Sequence, residues 1–113
     1  MVYAAIEFLP AEASLYNDRA LALTFLGEFG LAVVDYDVAI SLSPRNPRFL
    51  ANRGNAHASL GNIGMAISDY EDALKLDATD AMTFNNLGII RRDYGQFQQA
   101  IEDFISFAPL PIN

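Results

Sequence analysis

Apolar residues recur along this chain at spacings of three and four, which is the pattern of amphipathic α-helices. In the central part of the chain one such stripe ends before Gly61 and a second begins at Ile63. Glycine accommodates the positive φ that ends a helix. Upstream, Asn46 is a good N-cap, and Pro47 suits the first helical position because no N–H is needed there. The pattern predicts two helices joined by a tight turn.

This pair of helices is predicted three times, with a period of 34 residues. The turn glycine recurs in each copy, as do an alanine, an aspartate and an aromatic residue of the second helix. The recurring sets are Gly27, Gly61 and Gly95; Ala32, Ala66 and Ala100; Asp35, Asp69 and Asp103; and Tyr36, Tyr70 and Phe104. Such a period indicates stacked copies of one helical unit. We divide the chain into repeats 13–46, 47–80 and 81–113, with 1–12 as part of a preceding helix, all in one domain.

The repeated pattern resembles the tetratricopeptide repeat, a helix–turn–helix unit of this length. The resemblance is clearest in the second helices, where an alanine is followed four residues later by an aromatic residue, as at Ala66 and Tyr70. It implies an all-α fold in which antiparallel helix hairpins form a right-handed superhelix, an α-solenoid. It also implies a scaffold or adaptor that binds a protein or peptide in its concave groove, without identifying the partner.

Composition disfavours catalysis. The chain has no cysteine and a single histidine, His57, which excludes thiolate nucleophiles and multi-histidine metal sites. His57 occupies a packing position of the repeat, and paired acids such as Asp69 and Asp72 fit a solvated helix face. We therefore predict no enzyme activity, no catalytic or metal-binding residues and no cofactor.

The overall charge narrows the partners further. The formal net charge is −7 and the pI is about 4.3, the wrong sign for binding a phosphate backbone, so we predict no nucleic acid partner. Single-stranded RNA, which related helical arrays bind, is disfavoured for the same reason. No uncharged apolar stretch approaches the roughly 18 residues that span a bilayer, so we expect no membrane insertion. The sequence does not determine the compartment, and the cytoplasm is the location we favour.

The charges are distributed unevenly over the predicted helices. Each second helix has a net charge of −2, whereas the first helices have net charges of 0, +2 and +1. Since the resemblance places first helices along the groove, a mildly basic groove and an acidic back are expected. The alternative is that the acids only keep the surface soluble. Arg19 and Arg53 replace a packing leucine of the family, and we expect them to pair with nearby acids.

The resemblance also identifies candidate groove residues. Those that we select are Asn17, Arg48, Asn52, Asn55, Asn85, Asn86 and Arg92. An asparagine amide both donates and accepts hydrogen bonds, so a row of asparagines suits a peptide backbone. The alternative is that asparagine is merely a tolerated polar residue on an exposed face. On the first interpretation, Asn52→Ala weakens ligand binding and leaves stability unchanged.

One known type of ligand is disfavoured by the residues at these places. Family members that bind the tails of heat-shock chaperones hold a C-terminal carboxylate with lysine, asparagine, asparagine, lysine and arginine. The aligned residues here are Asn17, Leu21, Asn52, Met82 and Asn86. Only Asn52 matches, and the three cations that would bind the carboxylate are replaced. We predict that chaperone tails are not the ligand.

The two ends of the chain depart from the repeat. Phe107 stands where an alanine is expected, and Pro109 and Pro111 are predicted to end the last helix early. The tail is apolar, unlike the polar outer face of a terminal repeat. Either the chain is part of a longer array, or it is a structural protein that forms homo-oligomers through its open apolar ends. The second of these is our alternative function.

Overall fold

The computed structural model describes residues 12–109 and residue 111. This part of the chain contains six α-helices and no strand. The helices are α1 (Ala13–Phe25), α2 (Phe29–Leu42), α3 (Pro47–Ser59), α4 (Ile63–Leu76), α5 (Ala81–Asp93) and α6 (Phe97–Phe107). Consecutive helices pack as the hairpins α1–α2, α3–α4 and α5–α6, and each hairpin packs against the next. The predicted all-α fold of stacked hairpins is confirmed, whereas the partial helix expected within residues 1–12 falls almost wholly outside the described residues.

Each hairpin turns at a glycine with a left-handed backbone. Gly27, Gly61 and Gly95 have φ values of +79°, +81° and +81°. At the central turn, the N–H of Asn62 donates to the carbonyl of His57 at 2.8 Å, and that of Gly61 donates to the carbonyl of Ala58 at 3.0 Å. This pair of bonds is the Schellman ending of a helix, which satisfies carbonyls that the helix leaves free.

Local side-chain chemistry also fixes where α3 and α5 begin. The side chain of Asn46 accepts a hydrogen bond from the N–H of Arg48 at 3.0 Å. Asp80 accepts from the N–H of Met82 at 3.1 Å and from the hydroxyl of Thr83 at 2.7 Å. The N-cap at Asn46 was predicted from the sequence and is confirmed, and Asp80 caps α5 in the same way.

Within a hairpin, a small residue on the first helix meets an aromatic ring on the second. A Cβ atom placed on Gly54 would lie 2.9 Å from the Tyr70 ring, and one on Gly88 would lie 2.7 Å from the Phe104 ring. The small residue therefore allows the two helices to approach closely.

Between hairpins, a second helix packs against the next first helix. Tyr70 and Ala66 of α4 form a buried cluster with Leu87 and Ile90 of α5. The equivalent contact between α2 and α3 includes Ala39 and Phe49. These contacts place α1, α3 and α5 side by side along one wall of the stack.

The last helix is short. α6 has 11 residues and ends at Phe107, whereas α2 and α4 have 14 residues each. Pro109 follows two residues later and cannot donate the backbone hydrogen bond that a further turn needs. The early end predicted from the prolines is confirmed.

Candidate binding groove

The three first helices border an open groove, which we call the central groove. Its volume is about 830 Å³. From α1 and α3 it is lined by Leu21, Pro47, Arg48, Ala51, Asn52 and Asn55, together with Asn46, which caps α3. From α5 it is lined by Ala81, Met82, Thr83 and Asn86, and from the loop before α5 by Asp77, Thr79 and Asp80. A concave surface shared by successive repeats is the usual binding surface of a solenoid.

Four of the candidate residues lie together in this groove. They are Arg48, Asn52, Asn55 and Asn86. Asn17, Asn85 and Arg92 lie outside its lining. Asn17 is buried and Asn85 half-buried, while Arg92 is exposed and pairs with its neighbour Asp93 at 3.0 Å. The part that each of the seven residues has in binding stays a prediction.

The asparagines are paired across the groove wall. The Nδ2 of Asn52 donates to the Oδ1 of Asn17 at 3.0 Å, joining α3 to α1. The Nδ2 of Asn86 donates to the Oδ1 of Asn55 at 3.2 Å, joining α5 to α3, and the Tyr70 hydroxyl donates to the same oxygen. These bonds therefore stabilise the packing of successive first helices, and Asn52, Asn55 and Asn86 also line the groove.

The pairing changes one expectation. Asn17 is buried, so removing its partner Asn52 leaves a desolvated oxygen without a donor. The expectation that Asn52→Ala would leave stability unchanged is therefore revised.

Sequence reasoning missed the groove residues that precede α5. Asp77 and Asp80 line the groove from the loop between α4 and α5, whereas all the predicted groove residues lie on first helices. Asp77 accepts hydrogen bonds from both the hydroxyl and the backbone N–H of Thr79, and these bonds lower the pKa of its carboxyl group. The spacing of two aspartates around a loop before a helix was the available signal.

The groove is not basic, which corrects the expected separation of charge. Its lining contains one cation, Arg48, and two carboxylates, Asp77 and Asp80. Two arginines of the first helices place their guanidinium groups outside the groove, because Arg53 and Arg91 bind acids of second helices. Summing charges by helix failed because an arginine side chain is long enough to leave the face on which its Cα lies.

Arginines of the first helices form ion pairs with acids of the second helices, both within a hairpin and between hairpins. Arg19 binds both carboxylate oxygens of Asp35, at 2.6 and 2.7 Å. Arg53 binds Asp69 in the same way, at 2.9 and 2.8 Å, and also reaches Asp37 of the preceding hairpin at 2.9 Å. The hydrogen bond to Asp69 raises the pKa of Arg53. The expected pairing of Arg19 and Arg53 with nearby acids is confirmed.

In the third hairpin the arginine that binds an acid of the second helix comes from a different sequence position. Leu87 stands at the place of Arg53, and Arg91, one helical turn later, binds Asp103 at 3.0 and 3.1 Å. Arg91 also binds Glu71 of the preceding hairpin at 2.7 Å. Burial nevertheless raises the pKa of Asp103, against the lowering effect of Arg91.

The other candidate functional features of the described residues are few. His57 is buried, as expected for a packing position. Within residues 12–109 and 111, no three metal-binding side chains cluster, and no helix is long and apolar enough to cross a membrane. The geometry offers a binding surface.

Stacked helix hairpins with a shared concave wall define the class of the α-solenoids. Residues 47–80 match the sequence profile of the tetratricopeptide repeat. The structural similarities below are also with tetratricopeptide repeat domains, so residues 47–80 are a repeat of this family and the whole helix stack has its fold. Comparison with curated protein sequences gives no match.

Two solved structures illustrate the similarity. The tetratricopeptide repeat domain of Sgt2 from Aspergillus fumigatus has a TM-score of 0.81 and 27% identity, over 85% of this chain and 64% of that one. The chain thus spans less than two thirds of that relative. The second such domain of Spaghetti (RPAP3), bound to the HSP90 peptide SRMEEVD, has a TM-score of 0.82 and 25% identity, over 85% of this chain and 89% of that one.

A third structure shows the fold alone. MamA has a TM-score of 0.86 at 18% identity, over 95% of this chain and 64% of that one. A backbone so similar at such low identity reflects the packing positions that the repeat requires, and it carries no information about the ligand.

Proposed function

We propose that the chain is a non-catalytic protein-interaction module that binds an extended segment of a protein partner in the central groove. The observation that carries this proposal is a groove of about 830 Å³ whose walls come from three successive first helices. The paired asparagines hold these helices together before a ligand arrives, so that little conformational entropy is lost on binding.

The exposed groove side chains define the ligand chemistry that we expect. Met82 is 63% exposed and, with Leu21, offers an apolar contact. Asn55 uses its Oδ1 for Tyr70 and Asn86, which leaves its Nδ2 to donate to a peptide carbonyl. The lining also contains one cation, Arg48, and two carboxylates, Asp77 and Asp80, so it does not attract a strongly acidic segment. A segment with an apolar anchor and few charges fits these features best.

A matched pair of methionine variants tests the proposal. Peptide ligands are selected from a displayed random library on the wild-type chain, and their affinities are measured by calorimetry. We expect Met82→Ala to weaken binding by about tenfold, the size typical of losing an interface anchor. Met65, on α4 and outside the central groove, is 59% exposed and serves as the control. Equal effects of the two substitutions, or no selectable ligand, would contradict groove binding.

We further propose that the groove does not bind chaperone tails. The peptide SRMEEVD is acidic and ends in a carboxylate, and Spaghetti (RPAP3) binds it. At the places where such proteins carry cations, this chain has Asn17, Met82 and Asn86. We expect no binding of this peptide at high micromolar concentration in low salt, and measurable binding would refute the proposal. The absence of a nucleic acid partner, the cytoplasmic location and the repeat boundaries also stay predictions.

A second candidate function is self-assembly through the end of the helix stack. It is favoured by one observation, the exposure of three large apolar side chains on the last helix. Phe97 is 63% exposed, Ile101 is 52% exposed and Phe107 is 40% exposed. Assembly of this kind is compatible with groove binding, because the residues lie on different helices.

A further inference from the structure

Each internal second helix carries an apolar stripe that the next hairpin covers. On α4 this stripe consists of Ile63, Ile67, Tyr70 and Leu74. All four side chains are buried or half-buried, because Leu87 and Ile90 of α5 pack against the cluster they form. The stripe on α4 therefore shows the burial expected when the next hairpin covers a second helix.

The last helix has the same stripe without a covering helix among the described residues. One repeat later than those of α4, its residues are Phe97, Ile101 and Phe104 on α6, with Ala108 directly after the helix ends. Phe97 and Ile101 are exposed, whereas their counterparts Ile63 and Ile67 are half-buried. Uncovered apolar side chains in such a row mark an interaction surface.

Two substitutions on this surface make it unsuitable for a further hairpin of the same kind. Asp37 and Glu71 bind the arginine of the following hairpin, but the equivalent residue on α6 is Ile105. The room for a close helix contact is also lost there, because the large side chain of Phe107 replaces the small buried alanines of the earlier second helices. These alanines are Ala39, which packs near Phe49 of the next helix, and Ala73.

Head-to-tail stacking of two copies would meet both obstacles. It would place α1 of one copy on α6 of the other, with Arg19 at the position that Arg53 occupies within the chain. Arg19 would then lie over Ile105 and gain no second carboxylate, unlike Arg53, which binds Asp37. Covering a charged group without a new partner is unfavourable. Phe107 would further prevent the close helix approach that Ala39 permits.

We propose instead that two copies of this chain form a closed two-fold dimer in which α6 packs against α6 of the partner. This inference rests on the second candidate function, self-assembly, and is independent of groove binding. The stripe contains no charged residue, so it is complementary to itself. Both features that obstruct a stacked hairpin, Ile105 and Phe107, add apolar surface to such an interface.

Sedimentation and light scattering from low to high micromolar concentration test the dimer. We expect wild-type chain to pass from monomer to dimer and no further. Ile101→Asp should weaken dimerisation by about 100-fold or more, because each dimer buries the introduced carboxylate twice. The control is Val34→Asp on α2, which changes a side chain that is 58% exposed and lies outside the stripe. Helical circular dichroism should be unchanged in both variants.

A double variant distinguishes the two-fold dimer from head-to-tail stacking. Ile105→Glu with Phe107→Ala recreates on α6 the residues of an internal second helix. A two-fold dimer should be weakened by these changes, whereas head-to-tail stacking should be strengthened and should give species larger than a dimer. Stronger association of the double variant would overturn the two-fold arrangement but would still support self-assembly. A wild-type chain that stays monomeric at all concentrations would overturn both the two-fold dimer and self-assembly. Neither result bears on the library-selected groove ligands.

Discussion

The middle hairpin, α3–α4, and the last hairpin, α5–α6, solve the same packing problem with different residues. In the middle hairpin Arg53 binds an aspartate 16 residues later, and in the last hairpin Arg91 binds one 12 residues later. Both arginines also bind an acid of the preceding hairpin. The comparison teaches that the structure requires a guanidinium at a given point in space, which two positions one helical turn apart can supply.

The two hairpins also differ at the aromatic residue that packs on the small residue of the first helix. Tyr70 in the middle hairpin is buried, and its hydroxyl is hydrogen-bonded to Asn55. Phe104 in the last hairpin is half-buried and has no hydroxyl. The aromatic contact of the middle hairpin should therefore tolerate substitution less well than that of the last hairpin. The predictions below test this and the other differences between the two hairpins.

The largest effect is expected from breaking the ion pair of the last hairpin. Arg91→Leu leaves the buried Asp103 without its partner, and removal of one member of a buried pair typically costs about 3–5 kcal/mol. The free energy of unfolding in urea measures this loss. Adding Leu87→Arg restores a guanidinium at the position used by the middle hairpin and should recover part of the stability. A loss below about 1 kcal/mol, within the range of exposed ion pairs, would show that the pair is not structural.

Alkaline pH should act on the middle hairpin through Tyr70. Burial, with a smaller contribution from the charge of Asp69, raises the pKa of Tyr70 from 10.0 to about 12. Because the folded state holds this proton more tightly than the unfolded state, the associated stability is complete below pH 10 and is lost as pH rises toward 12. The loss should be roughly 2 kcal/mol.

Tyr70→Phe is the control for this titration. The variant should be less stable than wild type at neutral pH, since Asn55 loses a donor, and the difference should shrink above pH 10. Urea unfolding at a series of alkaline pH values gives both curves. Parallel curves for the two proteins would mean that Tyr70 does not carry the pH dependence.

The next comparison between the two hairpins uses alanine at Gly54 and Gly88, the two helix glycines that meet an aromatic ring. Gly54→Ala drives a Cβ against the fixed Tyr70 ring and toward the carbonyl oxygen of Ala66, 3.3 Å away. Overpacking costs about 1–3 kcal/mol, and the better helix propensity of alanine returns about 1 kcal/mol, so a net loss is expected. Gly88→Ala should be close to neutral because the Phe104 ring can move. Thermal or urea unfolding of both variants decides, and an equal or larger loss for Gly88→Ala would reverse the ranking.

Modest effects are expected at the asparagine pairs that join the middle hairpin to its two neighbours. Asn52→Ala removes the donor to the buried Asn17 and should cost about 1–2 kcal/mol. Asn86→Ala should cost about 0.5 kcal/mol or less, because its partner Asn55 is exposed and can bind water. Unfolding measurements on the two variants check this order, and a neutral Asn52→Ala would return Asn52 to the role of a ligand contact alone.

Much of the fold could be predicted because its signals are local. The cap at Asn46, the glycine turn at Gly61 and the end of α6 before Pro109 depend on residues within a few positions of each other. The 34-residue period then implied that the hairpins stack. The candidate groove was predicted only in part: Arg48, Asn52, Asn55 and Asn86 line it, while the loop residues Asp77 and Asp80 were not expected.

The sequence by itself determined the repeat, the helix ends and the small and aromatic positions, because backbone conformation and close packing restrict which residues each place accepts. Only the tertiary structure decided where the charges lie and how the asparagines pair. Arg91 and Glu71 are 20 residues apart, and Asn17 and Asn52 are 35 apart. Side chains so distant in the chain meet only when two hairpins pack, and a long flexible side chain can reach several partners from one Cα position.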